Sequence, residues 1–178
     1  MIEVEKKFRL TKRQRDTVLK RLPEVGAHLE GEDFEENTLY TGEALSDGSC
    51  VLRLRRVGGR ATLTYKKRIP TSAAIKQQRE EETAVADPEA MEAILEALGF
   101  TRALVYEKRR QTWRLGKTEI VIDVLPFGLF MEIEGRATEI KAVERKLGLK
   151  GLRAEHATYP QLTAKHGKTN DGLIEARF

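Results

Sequence analysis

Apolar and charged residues alternate along the first nine residues of the chain. Such alternation predicts a β-strand, because successive side chains of a strand point to opposite faces. Two glutamates and a lysine then share one face, and three apolar residues share the other: Glu3, Glu5 and Lys7, against Ile2, Val4 and Phe8. A charged strand face most often points at water, so this segment by itself leaves the function open.

Seven further segments are predicted to be strands, and nearly every one has an apolar face and a face bearing charge. They cover about residues 38–41, 51–57, 60–68, 78–85, 104–113, 118–125 and 129–137. Their charged faces carry a mixed set of cations and carboxylates: Arg53, Arg55, Lys66, Lys108, Arg110, Asp123, Glu132 and Glu134. In the segment with consecutive acidic residues we assign Glu81 to the charged face of the strand, and Glu80 and Glu82 to the outer, solvated face.

Four helices are predicted among these strands, with starts and ends set by capping and breaking residues. They cover about Lys12–Leu22, the segment from Asp87 to Gly99, Thr138–Leu147 and Tyr159–Lys165. Eight strands whose apolar faces need covering predict an α+β fold: a closed, eight-stranded antiparallel β-barrel with a charged interior and with helices packed outside. We assign residues 1–166 to this single domain, and residues 167–178 to a loosely held C-terminal tail with little apolar content.

Charged residues make up 34% of the chain, which exceeds the usual share of about a quarter. The 32 basic and 28 acidic residues are interleaved and leave a net charge of only +4, so we expect no nucleic-acid partner. The single cysteine, Cys50, excludes an internal disulfide, and no apolar stretch reaches the length of a signal peptide core or a membrane span. These features predict a cytoplasmic protein without a membrane partner, and they allow a homodimer.

Clustered carboxylates and clustered cations inside a barrel would destabilise the protein unless a ligand compensated both charges. A polyphosphate bound with divalent cations compensates both, because carboxylate oxygens suit Mg²⁺ or Mn²⁺ and because arginine and lysine bind phosphoryl oxygens. Other motifs for phosphate and metal are missing from the sequence. The phosphate loop Gly-x-x-x-x-Gly-Lys-Ser/Thr is absent, and the three histidines are scattered along the chain: His28, His156 and His166.

Short motifs recur in a fixed order: Glu-x-Glu-x-Lys at 3–7, Leu-Arg-Leu-Arg at 52–55, Arg-Glu-Glu at 79–81, Glu-Lys-Arg-Arg at 107–110 and Met-Glu-Ile-Glu at 131–134. Together with Lys66 and Asp123, this ordered set resembles the strand motifs of the CYTH family, also called triphosphate tunnel metalloenzymes, from residue 1 to about residue 162. Two positions depart from the family pattern. Thr41 follows Tyr40 where an acidic residue is frequent, and Ala157 takes the place of a basic residue.

This resemblance implies an antiparallel eight-stranded tunnel and two roles for its charged residues. The carboxylates would bind Mg²⁺ or Mn²⁺: Glu3, Glu5, Glu81, Asp123, Glu132 and Glu134. The cations would hold a triphosphate: Lys7, Arg53, Arg55, Lys66, Lys108 and Arg110. Of these residues, Glu5, Arg53 and Lys66 are expected to take the most direct part in catalysis.

The resemblance implies metal-dependent hydrolysis of a small-molecule triphosphate, such as inorganic triphosphate, thiamine triphosphate or ATP. The family's other reaction is an alternative, in which a class IV adenylate cyclase converts ATP to cyclic AMP and pyrophosphate with the same residues. A third alternative is a non-catalytic module that binds polyphosphate or RNA. The closely paired glutamates argue against such a module, because they would repel phosphate without an intervening cation. The sequence leaves open the substrate, the metal and the choice between hydrolase and cyclase.

Overall fold

The structure is a computed structural model that describes residues 5–46, 48–69, 77–149 and 151–178, with side chains described except at residues 68, 69, 77 and 78. Ten strands lie in these ranges: β1 (Glu5–Leu10), β2 (His28–Thr41), β3 (Cys50–Val57), β4 (Arg60–Ile69), β5 (Gln77–Val85), β6 (Thr101–Leu115), β7 (Thr118–Leu125), β8 (Gly128–Glu134), β9 (Lys168–Asn170) and β10 (Leu173–Ala176). Four α-helices accompany them: α1 (Lys12–Glu24), α2 (Pro88–Ala97), α3 (Ala137–Leu147) and α4 (Tyr159–His166). The described chain is an α+β fold rich in antiparallel strands.

The chain divides into two compact units. The described residues of the first unit are 34–46, 48–69, 77–107 and 158–178, and those of the second unit are 5–33, 108–149 and 151–157. In the second unit β1, β8, β7 and β6 pair in that order, and in the first unit β2, β3, β4 and β5 pair in that order. All of these pairings are antiparallel.

Helix α1 begins at a capping box, in which side chain and backbone satisfy each other's hydrogen bonds. The Thr11 hydroxyl accepts from the backbone amide of Gln14, and the Gln14 side chain accepts from the backbone amide of Thr11. The helix runs through Pro23, where the sequence predicted its end, and stops one residue later at Glu24. None of the described helices is long and apolar enough to cross a membrane.

Helices α1 and α3 cover the apolar face of the strands in the second unit. Phe8, Ile122 and Met131 project from three of these strands into a buried cluster with Leu22 of α1 and Leu147 of α3. All five side chains are at most 2% exposed. Burying a large apolar side chain contributes about 1.5–3 kcal/mol, so this packing fixes which face of the strands remains for the charged residues.

Helix α2 covers one face of the strands in the first unit. Leu54 of β3, Val85 of β5 and Leu95 of α2 belong to one buried cluster. The helix begins as the sequence predicted, because the Asp87 side chain accepts from the backbone amide of Ala90 and a proline follows at the first helical position. The opposite face of β3, β4 and β5 is therefore the one left for charged side chains.

A polar network links α2 to its sheet. Arg56 donates to the Glu92 carboxylate at 3.0 Å, and the Tyr40 hydroxyl donates to the same carboxylate at 3.3 Å. Burial raises the pKa of Tyr40, and the charge of Glu92 raises it further. Burial also opposes ionisation of Glu92, but the hydrogen bond and the charge of Arg56 outweigh burial and lower the pKa of that carboxyl.

We expect Glu92→Gln to lower the free energy of unfolding by about 1–2 kcal/mol at neutral pH, because Arg56 loses a charged partner. A carboxyl whose folded pKa is lowered stabilises fully above its unfolded value of 4.5, and this stabilisation is lost as the pH falls through the folded pKa. Urea unfolding from neutral pH to about pH 3 should show a variant effect that shrinks in acid. Glu89→Gln is the control, since Glu89 lies 3.7 Å from Arg56 but is 80% exposed. Equal effects of the two substitutions would contradict this expectation.

The prediction of a closed, eight-stranded barrel was wrong in two respects for the residues that the structure describes. There are ten strands, and strand pairing ends at β1 and at β5 without joining them, so the described sheet is open. The short strand predicted at 38–41 is the end of β2, a strand of 14 residues. Residues 28–33 lack the alternation that marked the other strands, and strand formation there depends on neighbours that are distant in sequence.

The C-terminal tail, predicted to be loosely held, contains the hairpin of β9 and β10. Strand β10 pairs in parallel with β6 through Ile174 and Leu104 and their neighbours. Arg177 binds the carboxylates of Glu36 and Glu107, the latter at 2.9 Å. The tail is therefore held by the hydrogen bonds of strand pairing and by these ion pairs, although it contains few apolar residues.

Candidate functional site

One face of the strands in the second unit is charged. Residues that lie directly opposite each other in an antiparallel ladder share a face. Charged pairs of this kind include Glu5 with Glu134, Lys7 with Glu132, Glu119 with Glu134, and Arg110 with Asp123. Lys108 lies two residues before Arg110 on β6 and shares its face. These eight residues define the second-unit charged face.

The orientation that the sequence predicted for β1 is confirmed for its described residues. Glu5 and Lys7 lie on the charged face, whereas Phe8 is 1% exposed and packs in the apolar cluster. Met131 and Ile133 of β8 are likewise buried on the apolar side, and they alternate with Glu132 and Glu134 along the strand. The predicted site residue Glu3 lies outside the described residues.

Five of these side chains form a continuous ion-pair network. Arg110 binds Asp123 through two hydrogen bonds of 2.7 and 2.6 Å and reaches Glu132 at 2.9 Å. Lys7 lies 3.2 Å from Glu132, and Lys108 lies 3.7 Å from Asp123. The side chain of Asp123 is completely buried, and those of Lys7 and Lys108 are only 6% and 5% exposed.

The network contains three cations and two carboxylates, so its formal charge is +1. Desolvating charged groups is costly, and pairing with hydrogen bonds in good geometry offsets that cost. The remaining positive charge is poorly screened at this depth. The arrangement therefore suits an anionic ligand, and phosphoryl oxygens match the donors of arginine and lysine.

A row of carboxylates lies beside this network. Glu5, Glu134 and Glu119 are directly opposite one another on β1, β8 and β7. Like charges in this position destabilise a sheet unless a cation compensates them. Arg114 compensates Glu119 at 2.8 Å and also binds Glu30 at 3.0 Å.

The carboxylates of this face offer oxygen ligands, which is the ligand type that Mg²⁺ and Mn²⁺ prefer. Glu5, Glu132 and Glu134 therefore fit a divalent metal in chemistry. Across the described parts of the chain, however, no three acidic or histidine side chains converge closely enough to hold an ion. Asp123 and Glu132, both predicted metal ligands, contact the cations of the network.

The segment after α3 contributes to this face through its backbone. The amide of Glu155 donates to the Lys7 carbonyl at 2.8 Å, and Ala154 bridges to Phe8. The Lys7 amine in turn donates to the Ala157 carbonyl at 3.2 Å. A basic side chain was expected near residue 157, and its place is taken by a carbonyl that holds the lysine of β1.

The first unit has a charged face of its own. Arg53 lies opposite Thr64, which lies opposite Glu82, and Lys66 lies opposite Glu80. The Lys66 amine is 2.8 Å from the Glu80 carboxylate. With Arg55, which lies opposite Thr62 on the same side of the ladder, these residues define the first-unit charged face: Arg53, Arg55, Thr64, Lys66, Glu80 and Glu82.

The face assignment of Glu81 was wrong. Glu81 lies opposite Tyr65, on the side that α2 covers, and its exposed side chain contacts Arg79 at 2.9 Å. Three consecutive glutamates do not show which residues of β5 face α2, but the buried Val85 does. Val85 is buried against α2 and is an even number of residues from Glu81, so Glu81 shares the face of Val85. Glu80 and Glu82 lie on the opposite face.

Sequence reasoning also missed Glu119 and its partners Arg114 and Glu30. Glu119 alternates with Val121 and Asp123 along β7, so the strand period alone places it on the charged face. Glu30 could not be found in this way, because no alternation marks the start of β2. Its contact with Arg114 joins residues 84 positions apart in sequence.

Comparison with known proteins decides the family. A model of the CYTH domain matches residues 1–158. The chain belongs to the CYTH family. Members of this family are enzymes that act on triphosphates and generally depend on a divalent metal. No curated protein matches the sequence.

Solved structures agree with this CYTH assignment. The PH1012 protein of Pyrococcus horikoshii OT3 is 26% identical, with a TM-score of 0.77 over 90% of this chain and 99% of that chain. A proposed adenylate cyclase of Vibrio parahaemolyticus is 22% identical, with a TM-score of 0.71 over 92% of this chain and 98% of that one. A proposed adenylyl cyclase of Hippeastrum, described as having a dominant triphosphatase activity, is 18% identical, with a TM-score of 0.67 over 96% and 97%. At these identities the last two share the fold with this CYTH chain.

Proposed function

We propose that the protein hydrolyses a small-molecule triphosphate, inorganic or organic, in a reaction that depends on Mg²⁺ or Mn²⁺. The observation that carries the proposal is the second-unit charged face, where a buried network of three cations and two carboxylates borders a row of carboxylates. A triphosphate with a divalent cation is complementary to both parts. The name of the Hippeastrum protein, which describes a dominant triphosphatase activity, favours hydrolysis over cyclisation.

The proposed division of labour follows the chemistry of the side chains. Lys7, Lys108 and Arg110 bind phosphoryl oxygens, and Arg110 offers them a planar fork of donors. Glu5 and Glu134, together with Glu132, hold the metal. When bound, the metal neutralises charge on the phosphates and lowers the pKa of a bound water.

The cations of the first-unit charged face are also proposed to bind a triphosphate, as the CYTH motifs imply. Arg53 and Arg55 bind phosphoryl oxygens, and Lys66 orients the attacking water. Most of the catalytic effect then comes from positioning and charge neutralisation, because phosphoryl transfer requires little covalent chemistry from the protein. We propose no covalent intermediate.

A substrate panel with Mg²⁺ and with Mn²⁺ tests the proposal. Wild-type protein should release phosphate from at least one triphosphate, and chromatography of products from ATP separates hydrolysis from cyclisation. ADP with phosphate supports the proposal, cyclic AMP with pyrophosphate replaces it with the cyclase reaction, and tight, salt-sensitive binding without turnover replaces it with the binding module.

Glu5→Gln should reduce turnover about 100-fold, because a metal supplies several kcal/mol of transition-state stabilisation. Calorimetric titration with Mn²⁺ should show a matching loss of metal affinity.

A further inference from the structure

A chain of contacts on the first-unit charged face joins two arginines through a hydroxyl and a carboxylate. Arg53 donates to the Thr64 hydroxyl at 3.4 Å, and that hydroxyl donates to the Glu82 carboxylate at 3.0 Å. The same carboxylate lies 3.6 Å from a terminal nitrogen of Arg55. Thr64 is completely buried in the middle strand of the three. Its hydroxyl has a single proton, which it gives to Glu82, so it can only accept from Arg53.

The guanidinium of Arg53 is held at one end only. Its Nε atom is buried and has no hydrogen-bond partner among the described residues. A buried donor without an acceptor costs about 1–3 kcal/mol. The hydrogen bond to Thr64 therefore restrains a guanidinium that still has N–H groups to donate to an incoming acceptor.

Bidentate recognition of a phosphoryl group needs the plane of the guanidinium to be fixed before the anion arrives. Arginine side chains have many rotamers, and ordering them at the moment of binding reduces affinity. Glu82 restrains Arg55 directly and Arg53 through Thr64. Glu82 can restrain both arginines because it lies on the same face as they do, opposite to the face that α2 covers.

We propose that Glu82 is a positioning residue, which orients Arg55 directly and Arg53 through the Thr64 hydroxyl for binding to phosphoryl oxygens. This inference rests on the proposed function. It also explains why a carboxylate is found on a face that would bind an anion. A negative charge there opposes phosphate binding, and orientation of the two arginines outweighs that repulsion.

Two roles of Glu82 predict opposite signs for Glu82→Gln. If the carboxylate only repels phosphate, its neutralisation tightens binding of inorganic triphosphate and lowers KM. If it positions the arginines, the substitution lowers kcat about tenfold and raises KM, because small displacements of binding groups are costly in rate. The sign of the change in KM therefore separates a positioning role from simple charge.

The experiment compares four variants of the full chain. Glu82→Gln and Thr64→Val should both lower kcat/KM by more than about tenfold, and Thr64→Ser, which keeps the hydroxyl, should restore it. Glu89→Gln is the charge-matched control, because it removes a carboxylate beside Arg56 on the opposite side of β3. Unchanged or tighter binding in Glu82→Gln, or full activity in Thr64→Val, would overturn the proposal.

A measurement without substrate keeps this inference separate from the proposed function. Nitrogen NMR relaxation of the Arg53 Nε–Hε group should show a more mobile side chain in Glu82→Gln and Thr64→Val than in wild type or Glu89→Gln. If wild-type protein turns over no triphosphate, the proposed function fails, and the NMR result still decides whether Glu82 restrains the arginine. Identical relaxation in all variants would overturn the positioning role even if the enzyme is active.

Discussion

Arg110→Met lowers the free energy of unfolding by about 3–5 kcal/mol, which is the cost of removing one partner of a buried ion pair. Arg110 makes both short hydrogen bonds to Asp123, whose side chain is 0% exposed, and a third to Glu132. Without the guanidinium, a buried carboxylate keeps only the contact with Lys108 at 3.7 Å among the ion pairs described for it. Urea unfolding followed by circular dichroism measures the loss.

Arg114→Met is the matched control, because Arg114 lies on the same face of β6, four residues further along the strand. Its partners Glu30 and Glu119 are 37% and 30% exposed, so its removal should cost less than about 1 kcal/mol. Adding Asp123→Asn to Arg110→Met should recover part of the stability, since the carboxylate that lost Arg110 is then neutral. Equal losses for the two arginine variants, or no recovery in the double variant, would contradict a buried network.

The faces of the strands were predictable wherever apolar residues mark the phase. On β7, Ile120 and Ile122 are buried and alternate with Asp123, so the orientation of the charged residue follows from period alone. On β5 only Val85 carries that information, and Glu81 was placed on the wrong face. The face on which a charged residue lies can therefore be predicted best in strands that contain several alternating apolar residues.

The C-terminal hairpin could not be predicted from local pattern. Residues 167–178 contain little apolar surface, and their order depends on pairing with β6 and on the contacts of Arg177 with Glu36 and Glu107. These partners lie 141 and 70 positions away in sequence. Interactions at such separations leave no trace in the composition of the segment itself.

The division of the site into metal ligands and phosphate ligands was only partly predictable. Residue types assigned carboxylates to the metal and cations to the phosphate, but Asp123 and Glu132 contact Arg110. The face neutralises part of its own charge. A substrate and a metal bound there, as proposed, would compete with or share ion pairs that already exist, so the affinity for each should depend on the presence of the other.

The second large effect is expected from Lys7→Met, which should reduce triphosphate hydrolysis about 100-fold or more, the usual cost of losing a charge-stabilising donor. The Lys7 amine is 6% exposed and is held by Glu132 and by the Ala157 carbonyl, both at 3.2 Å. Glu132 retains its contact with Arg110 when Lys7 is removed, so the loss of stability should be smaller than that of Arg110→Met. Steady-state kinetics and urea unfolding on the same preparations measure both quantities.

Lys6→Met is the control, because it removes the same positive charge from the opposite face of β1. Lys6 is the preceding residue of the same strand, points to the opposite side, and pairs with Glu144 at 2.6 Å while 39% exposed. Because Lys6 lies on the apolar side of β1, away from the charged face, Lys6→Met should keep near wild-type turnover. If both lysine variants lose activity equally, general positive charge explains the effect. If only Lys7→Met loses activity, the lysine of β1 acts from the second-unit charged face, which is where the proposed triphosphate chemistry requires it.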